Sequence, residues 1–99
     1  MAAALTEADI TARLAALPGW AAENGVISKT YALDSYMAGL ALASAIGTVC
    51  EGLDHHPDLY IGYKKVRVSF TTHSAGNQLT AKDFEAAVAI ERLGYPRVK

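Results

Sequence analysis

The stretch "YKKVRVSFTTH" (63–73) constrains this chain more than any other, because its apolar residues recur at every second position. Val66, Val68 and Phe70 fall on one side, and Lys65, Arg67, Ser69, Thr71 and His73 on the other. Successive side chains of an extended strand point to opposite faces, so one face must be covered and the other left wet. The chain therefore has to build a sheet and something to cover one side of it. Earlier, "GWAAENGVISKTYAL" places two short extended runs around Asn24-Gly25, the dipeptide that supplies the positive backbone angles of a tight hairpin. A shorter strand is expected around Leu59–Gly62.

The cover comes from three helical segments. "TEADITARLAAL" sets Ile10, Leu14 and Leu17 on one face from Thr6 to Leu17, with Thr6 as N-cap and Pro18-Gly19 as stop. Asp34 is positioned to cap a second helix running to about Leu53, in which Gly39, Ala43 and Gly47 share a four-residue spacing and form a thin face. An interior glycine costs about 1 kcal/mol against alanine, so a thin face suggests close approach of another backbone, from this chain or a second subunit. Tyr36, Met37 and Leu40 are expected in the core or at an interface. In "LTAKDFEAAVAIERLG", Thr80 and Asp83 have capping-box spacing, and the helix is expected to stop at Gly94. The order of elements, with hairpin-linked strands, predicts an antiparallel sheet with helices packed on one face.

At 99 residues, without internal repeats or low-complexity segments, a single domain over residues 1–99 is expected. A net charge of -1 gives no electrostatic footprint for nucleic acid or anionic membrane. The lone Cys50 cannot form an intrachain disulfide, and "MAAALTEADI" lacks the features of a secretory signal, so a cytoplasmic setting is expected. No apolar stretch is expected to approach the roughly 20 residues of a membrane helix.

The chemistry-bearing residues crowd into one window. All three histidines, His55, His56 and His73, lie between residues 55 and 73, at the end of a helix and the end of a strand. Histidine can give and take a proton near neutrality, and sites gather at the ends of elements. Pro57 holds His56 extended; Glu51, one turn before His55, could orient an imidazole, and Asp54 could accept a backbone or ring N–H. A metal site is the competing reading, since three histidines and water make a catalytic zinc set. Against it, adjacent histidines in extended chain point apart, and the HExxH pattern is missing. Trp20 is either core or an aromatic plane at a pocket edge, and Asp83 is most simply a helix-cap partner. Neither a phosphate loop nor a Ser-His-Asp or Cys-His nucleophile emerges, which leaves general acid–base chemistry.

Taken together, Glu51, His55-His56-Pro57, Tyr63, His73 and Asp83 resemble the signature of the pterin-4a-carbinolamine dehydratases, and "LPGW", "ISKTYALDSY" and "LTAKDF" extend the likeness over Leu5–Leu93. The resemblance implies an α+β fold of four antiparallel strands with three helices on one face, α-β-β-α-β-β-α, assembled as homodimers or homotetramers. It implies loss of water from 4a-hydroxytetrahydropterin, recycling the cofactor of aromatic amino-acid hydroxylases, with no metal and no organic cofactor. By the same resemblance His55 and His73 act as acids toward the two faces of the pterin, while His56 positions substrate or accepts a proton. Asp54, Thr72 and Ser74 then line the site, and Glu51 orients or polarises. Two features depart from the family pattern: Leu59 stands where an aromatic commonly follows His-His-Pro, and "HSAGNQLT" is one residue longer than the usual turn. The family's animal relatives also serve as a dimerisation partner of a transcription factor, so an interaction module is the alternative.

Overall fold

The structure, a computed structural model, describes residues 3–94. Its elements are α1 (Glu7–Leu14), β1 (Ala21–Glu23), β2 (Val26–Ala32), α2 (Tyr36–Leu53), β3 (Asp58–Gly62), β4 (Lys65–Phe70), a one-turn 3-10 helix (His73–Ala75) and α3 (Ala81–Glu91). The four strands form one antiparallel sheet in the order β1-β2-β4-β3, so the protein is α+β with three α-helices.

The alternation in "KVRVSF" decides which face of the sheet is covered. Val66, Val68 and Phe70 of β4 are buried with Ile27 and Tyr31 of β2, against Leu42, Ile46 and Cys50 of α2 and Phe84, Ala87 and Ile90 of α3. The registers place Ser28 opposite Ser69 and Thr30 opposite Arg67, and these residues form the wet face. The hairpin turn has Asn24 at φ 52° and Gly25 at φ 78°, the two left-handed residues that a twist-compatible two-residue turn requires. Gly25 has a second use. A Cβ there would run into the backbone carbonyl of Asn77, and its own carbonyl accepts the Thr71 hydroxyl at 2.6 Å, so the turn braces the loop after β4.

Several boundaries differ from expectation for local reasons. The first helix stops at Leu14; the residues up to Leu17 continue with tighter bonds, Leu17 N–H reaching the Leu14 carbonyl at 3.0 Å, before Pro18 ends the run. Ser35, not Asp34, caps α2: its Oγ accepts the Ala38 N–H at 3.0 Å. β4 is shorter than its alternating pattern, because Tyr63-Lys64 form the turn from β3 and the chain leaves the sheet after Phe70. α3 ends at Glu91, three residues before Gly94.

α2 corrects two further expectations. At 18 residues it is, by length and composition, long and apolar enough to cross a membrane, although here Gly39, Leu42, Ala43, Ile46 and Cys50 are buried as the inner stripe of a core helix. The thin face is divided in use: Gly39 lies against Val66, where a Cβ would sit 3.4 Å from its methyl, whereas Gly47 has nothing within 4 Å. Of the two places expected for Tyr36 and Met37, core or interface, the core is excluded: they are 46% and 69% exposed in the single chain.

One inward-facing charge ties α3 to the sheet. Glu91 accepts from Lys29 Nζ at 3.0 Å, from Trp20 Nε1 at 3.4 Å and from the Tyr31 hydroxyl. Burial alone would push the Glu91 carboxyl up, but the hydrogen bonds from Tyr31, Lys29 and Trp20 together with the Lys29 charge hold it below the ordinary carboxylate range. Burial, with the Glu91 hydrogen bond and charge, pushes the Tyr31 phenol far up. A carboxylate with a lowered folded-state pKa stabilises the fold fully above its unfolded value, about 4.3 for glutamate, and loses that contribution as pH falls through the folded value. Glu91→Gln should cost about 1 kcal/mol at neutral pH, discounted for partial exposure. In urea denaturation the gap between wild type and variant should close as pH falls below about 4; a gap independent of pH would show that the charge is immaterial.

Candidate active site

The exit from α2 determines where two of the histidines point. Asp54 turns left-handed at φ 52°, with its N–H on the Glu51 carbonyl and the His55 N–H on that of Cys50, both at 3.1 Å. This is the paired-bond cap in which a left-handed residue ends the helix and redirects the chain. With Pro57 keeping His56 extended, the neighbouring rings diverge. The His55 side chain, 12% exposed, turns inward to Asp83; the His56 side chain, 59% exposed, turns back to Glu51 at 2.5 Å.

The His55 side of this arrangement is fixed from below by a buried polar network. Asp83 has no exposed surface, and its Oδ1 lies 2.7 Å from His55 Nε2. Its Oδ2 accepts the Thr72 hydroxyl at 2.8 Å and the Thr80 N–H at 2.9 Å. Since Thr72 has a single hydroxyl hydrogen, the Thr80 hydroxyl must donate in the 2.7 Å contact to Thr72, leaving Thr80 Oγ1 to accept the Lys82 N–H at 3.2 Å. Asp83 is thus both the capping-box partner of α3 and the group that holds His55. A carboxylate accepts only, so His55 Nε2 carries a hydrogen. Nδ1 has no partner among the described residues, where no buried side-chain nitrogen or oxygen is left unbonded, so Nδ1 reaches the surface. Behind the ring, Phe70 lies nearly parallel at 5.8 Å between centroids, and Trp20 stacks on Phe70 at 5.9 Å.

His73 comes from a second segment, opening the 3-10 turn after β4, with its Nδ1 2.7 Å from Asn77 Oδ1. Between the two segments lies an open cleft of about 310 Å³ lined by Asp54, His55, His56, Thr71, Thr72, His73, Ser74 and Lys82. Its size falls at the lower end of small-molecule sites, roughly 300–1,000 Å³. A larger concavity, about 710 Å³, lies on the wet sheet face around Ser28, Thr30 and Arg67, but no histidine borders it.

Of the residues expected at the site, the structure brings His55, His56, His73, Asp54, Thr72 and Ser74 to one cleft. Glu51 serves it through His56, not through His55 as the helical spacing suggested, because the cap turns His55 away. Asp83 is not at the surface of the cleft but beneath it. Trp20 does not border the cleft: it is 6% exposed, with its indole N–H on Glu91, and supports His55 only through Phe70. Thr71, Lys82 and Asn77 were missed by sequence reasoning. Thr71 and Lys82 lay inside stretches already singled out, one step from His73 and Asp83. Among the described residues, no group of three or more histidine, cysteine, aspartate or glutamate side chains is arranged to hold a metal ion.

Fold and site together define an α+β protein with a histidine-lined cleft. The family model for pterin 4 alpha carbinolamine dehydratase matches residues 3–93, and the chain belongs to that family. A protein of Chloroflexus aurantiacus named "Putative pterin-4-alpha-carbinolamine dehydratase" is 42% identical over 89 residues, covering 90% of this chain and 95% of its own. One of the same name from Streptomyces coelicolor is also 42% identical over 89 residues, covering 90% and 88%. Among solved structures, a transcriptional coactivator/pterin dehydratase from Brucella melitensis superposes with a TM-score of 0.84 at 27% identity, over 91% of this chain and 97% of that one. A pterin dehydratase-like protein described as a RuBisCO assembly factor shares the fold at a TM-score of 0.62 and 18% identity, over 77% and 87%.

Removing the carboxylate beneath the cleft strands His55, the Thr72 hydroxyl and the Thr80 N–H at once. Asp83→Ala should therefore destabilise the fold by about 3 kcal/mol in urea denaturation. A loss below about 1 kcal/mol would mean that the network contributes little beyond an ordinary cap.

Proposed function

We propose that the cleft binds a 4a-hydroxytetrahydropterin and catalyses loss of its C4a hydroxyl as water, giving the quinonoid dihydropterin and recycling the cofactor of aromatic amino-acid hydroxylases. The observation that carries this reading is the convergence of all three histidines, from two separate segments, on one cleft, each with its own side-chain partner. Family membership and the names of the relatives supply the substrate class.

The reaction asks for two proton transfers and little else. The C4a–O bond breaks as the adjacent ring-nitrogen lone pair pushes the oxygen out, a donor turns the departing hydroxyl into water, and an acceptor takes the nitrogen's proton. His55 reaches the cleft with Nδ1 while Asp83 faces its other nitrogen, an arrangement suited to carrying a positive charge between transfers. His73 and His56 line the same cleft, His56 with Glu51 as its partner. Asp54, Thr72 and Ser74 offer hydrogen-bonding groups for a flat heterocycle rich in N–H and C=O. The buried Cys50, its thiol pushed up by burial, suits a reducing cytoplasm.

Assembly is the second element of the reading. Among the described residues β3 is an edge strand, paired on one side only, and its Leu59, Tyr60 and Ile61 are 37%, 58% and 39% exposed. We propose that a second copy pairs with it antiparallel about Tyr60. Asp58 of one copy then meets Gly62 of the other, beside the Lys65 that pairs with Gly62 across the hairpin, so opposite charges meet at both ends. Ile61→Lys should shift the sedimenting species toward monomer, and an unchanged profile would show the edge to be unpaired.

Stopped-flow decay of enzymatically generated 4a-hydroxytetrahydropterin tests the chemistry. His55→Ala and His73→Ala should each slow dehydration, with the double variant at the spontaneous rate, a total loss of about 10²–10⁴-fold. Full activity in the folded double variant would refute the assignment, and loss of wild-type activity on chelation would move the mechanism to a metal.

A further inference from the structure

We propose that Asn77 is the positioning residue for His73: its side-chain carbonyl holds the imidazole as the Nδ1–H tautomer and leaves Nε2 as the nitrogen that exchanges protons in the cleft. The consequence for catalysis rests on the pterin reading above; the tautomer does not.

His73 and Asn77 lie four residues apart on one exposed loop, and the 2.7 Å contact between Nδ1 and Oδ1 is the only hydrogen bond to that ring among the described residues. An amide oxygen only accepts, so Nδ1 must carry the hydrogen, and Nε2 of the neutral ring is left with its lone pair. His55 is held the other way round, with Nε2 tied to Asp83 and Nδ1 free. The two imidazoles flanking the cleft therefore offer opposite nitrogens. When Nε2 of His73 takes a proton, the Nδ1–H bond to Asn77 stays in place; when it returns that proton, the ring is as before.

The backbone at Asn77 gives the side chain a fixed base. Its φ is 60°, its N–H bonds the Thr72 carbonyl at 3.1 Å, and its carbonyl abuts Gly25. A left-handed position explains asparagine, aspartate or glycine equally well. Only the contact to His73 needs a side chain with an acceptor oxygen, and that separates positioning from a merely structural role.

The test uses the intact chain and its Asn77→Gly and Asn77→Asp variants, all three able to hold the left-handed backbone, with a thermal melt to confirm folding. Long-range ¹⁵N–¹H correlation spectra at about pH 8.5, well above the ordinary histidine pKa of about 6.5, read the tautomer of His73, assigned by its loss in His73→Gln. Wild type and Asn77→Asp should show protonated Nδ1 and bare Nε2. Asn77→Gly should revert to the Nε2–H form that a free imidazole side chain favours, with kcat/KM for dehydration down about three- to tenfold and restored in Asn77→Asp. An Nε2–H ring in wild type, an unchanged tautomer in Asn77→Gly, or equal kcat/KM in Asn77→Gly and an active wild type would overturn the proposal. A wild type without dehydratase activity but with the expected tautomers would leave the positioning intact and sink the pterin reading instead.

Discussion

The His55 side of the cleft depends on one buried carboxylate. Asp83 has no solvent contact and joins the ends of three elements: His55 just beyond α2, Thr72 just beyond β4, and Thr80 at the start of α3. A buried charge is costly unless its oxygens are saturated with donors, so the fold is committed to supplying all three partners. The helix start, the end of the strand and the orientation of His55 consequently form one cooperative unit. A change that loosens any of them loosens the site.

The remaining support comes from packing and is equally indirect. The row Trp20–Phe70–His55 carries core rigidity to the ring that faces the cleft, and the Asn24-Gly25 turn braces the loop that bears His73. Neither Trp20 nor Gly25 touches the cleft. The three imidazoles have different partners: His55 and His56 each present Nε2 to a carboxylate, one buried and one exposed, whereas His73 presents Nδ1 to an amide oxygen.

The sequence discloses what is local. The alternation in "KVRVSF", the Asn-Gly turn and the Thr80/Asp83 capping box each rest on neighbours within a few residues, and each is present in the structure. The clustering of the histidines was legible for the same reason: two element ends within a short window tend to meet. What stayed hidden depends on chain reversal. Asp83 reads locally as a cap because its second partner is 28 residues away, and Trp20 reads as a possible pocket edge because the carboxylate that receives its indole N–H is 71 residues away. Asn77 was invisible inside "SAGNQ", since a turn residue needing positive φ and a side chain holding an imidazole of the cleft carry the same letter. Glu51 was assigned to the wrong histidine because helical spacing stops applying at Asp54.

The central claim, that the histidine-lined cleft receives a pterin, is tested most directly by titrating ¹⁵N-labelled protein with a non-reactive dihydropterin and mapping the amide shifts. The account predicts saturable shifts confined to Asp54–His56, Thr71–Ser74 and Lys82. Shifts centred on Ser28, Thr30 and Arg67, or no saturable response, would contradict it.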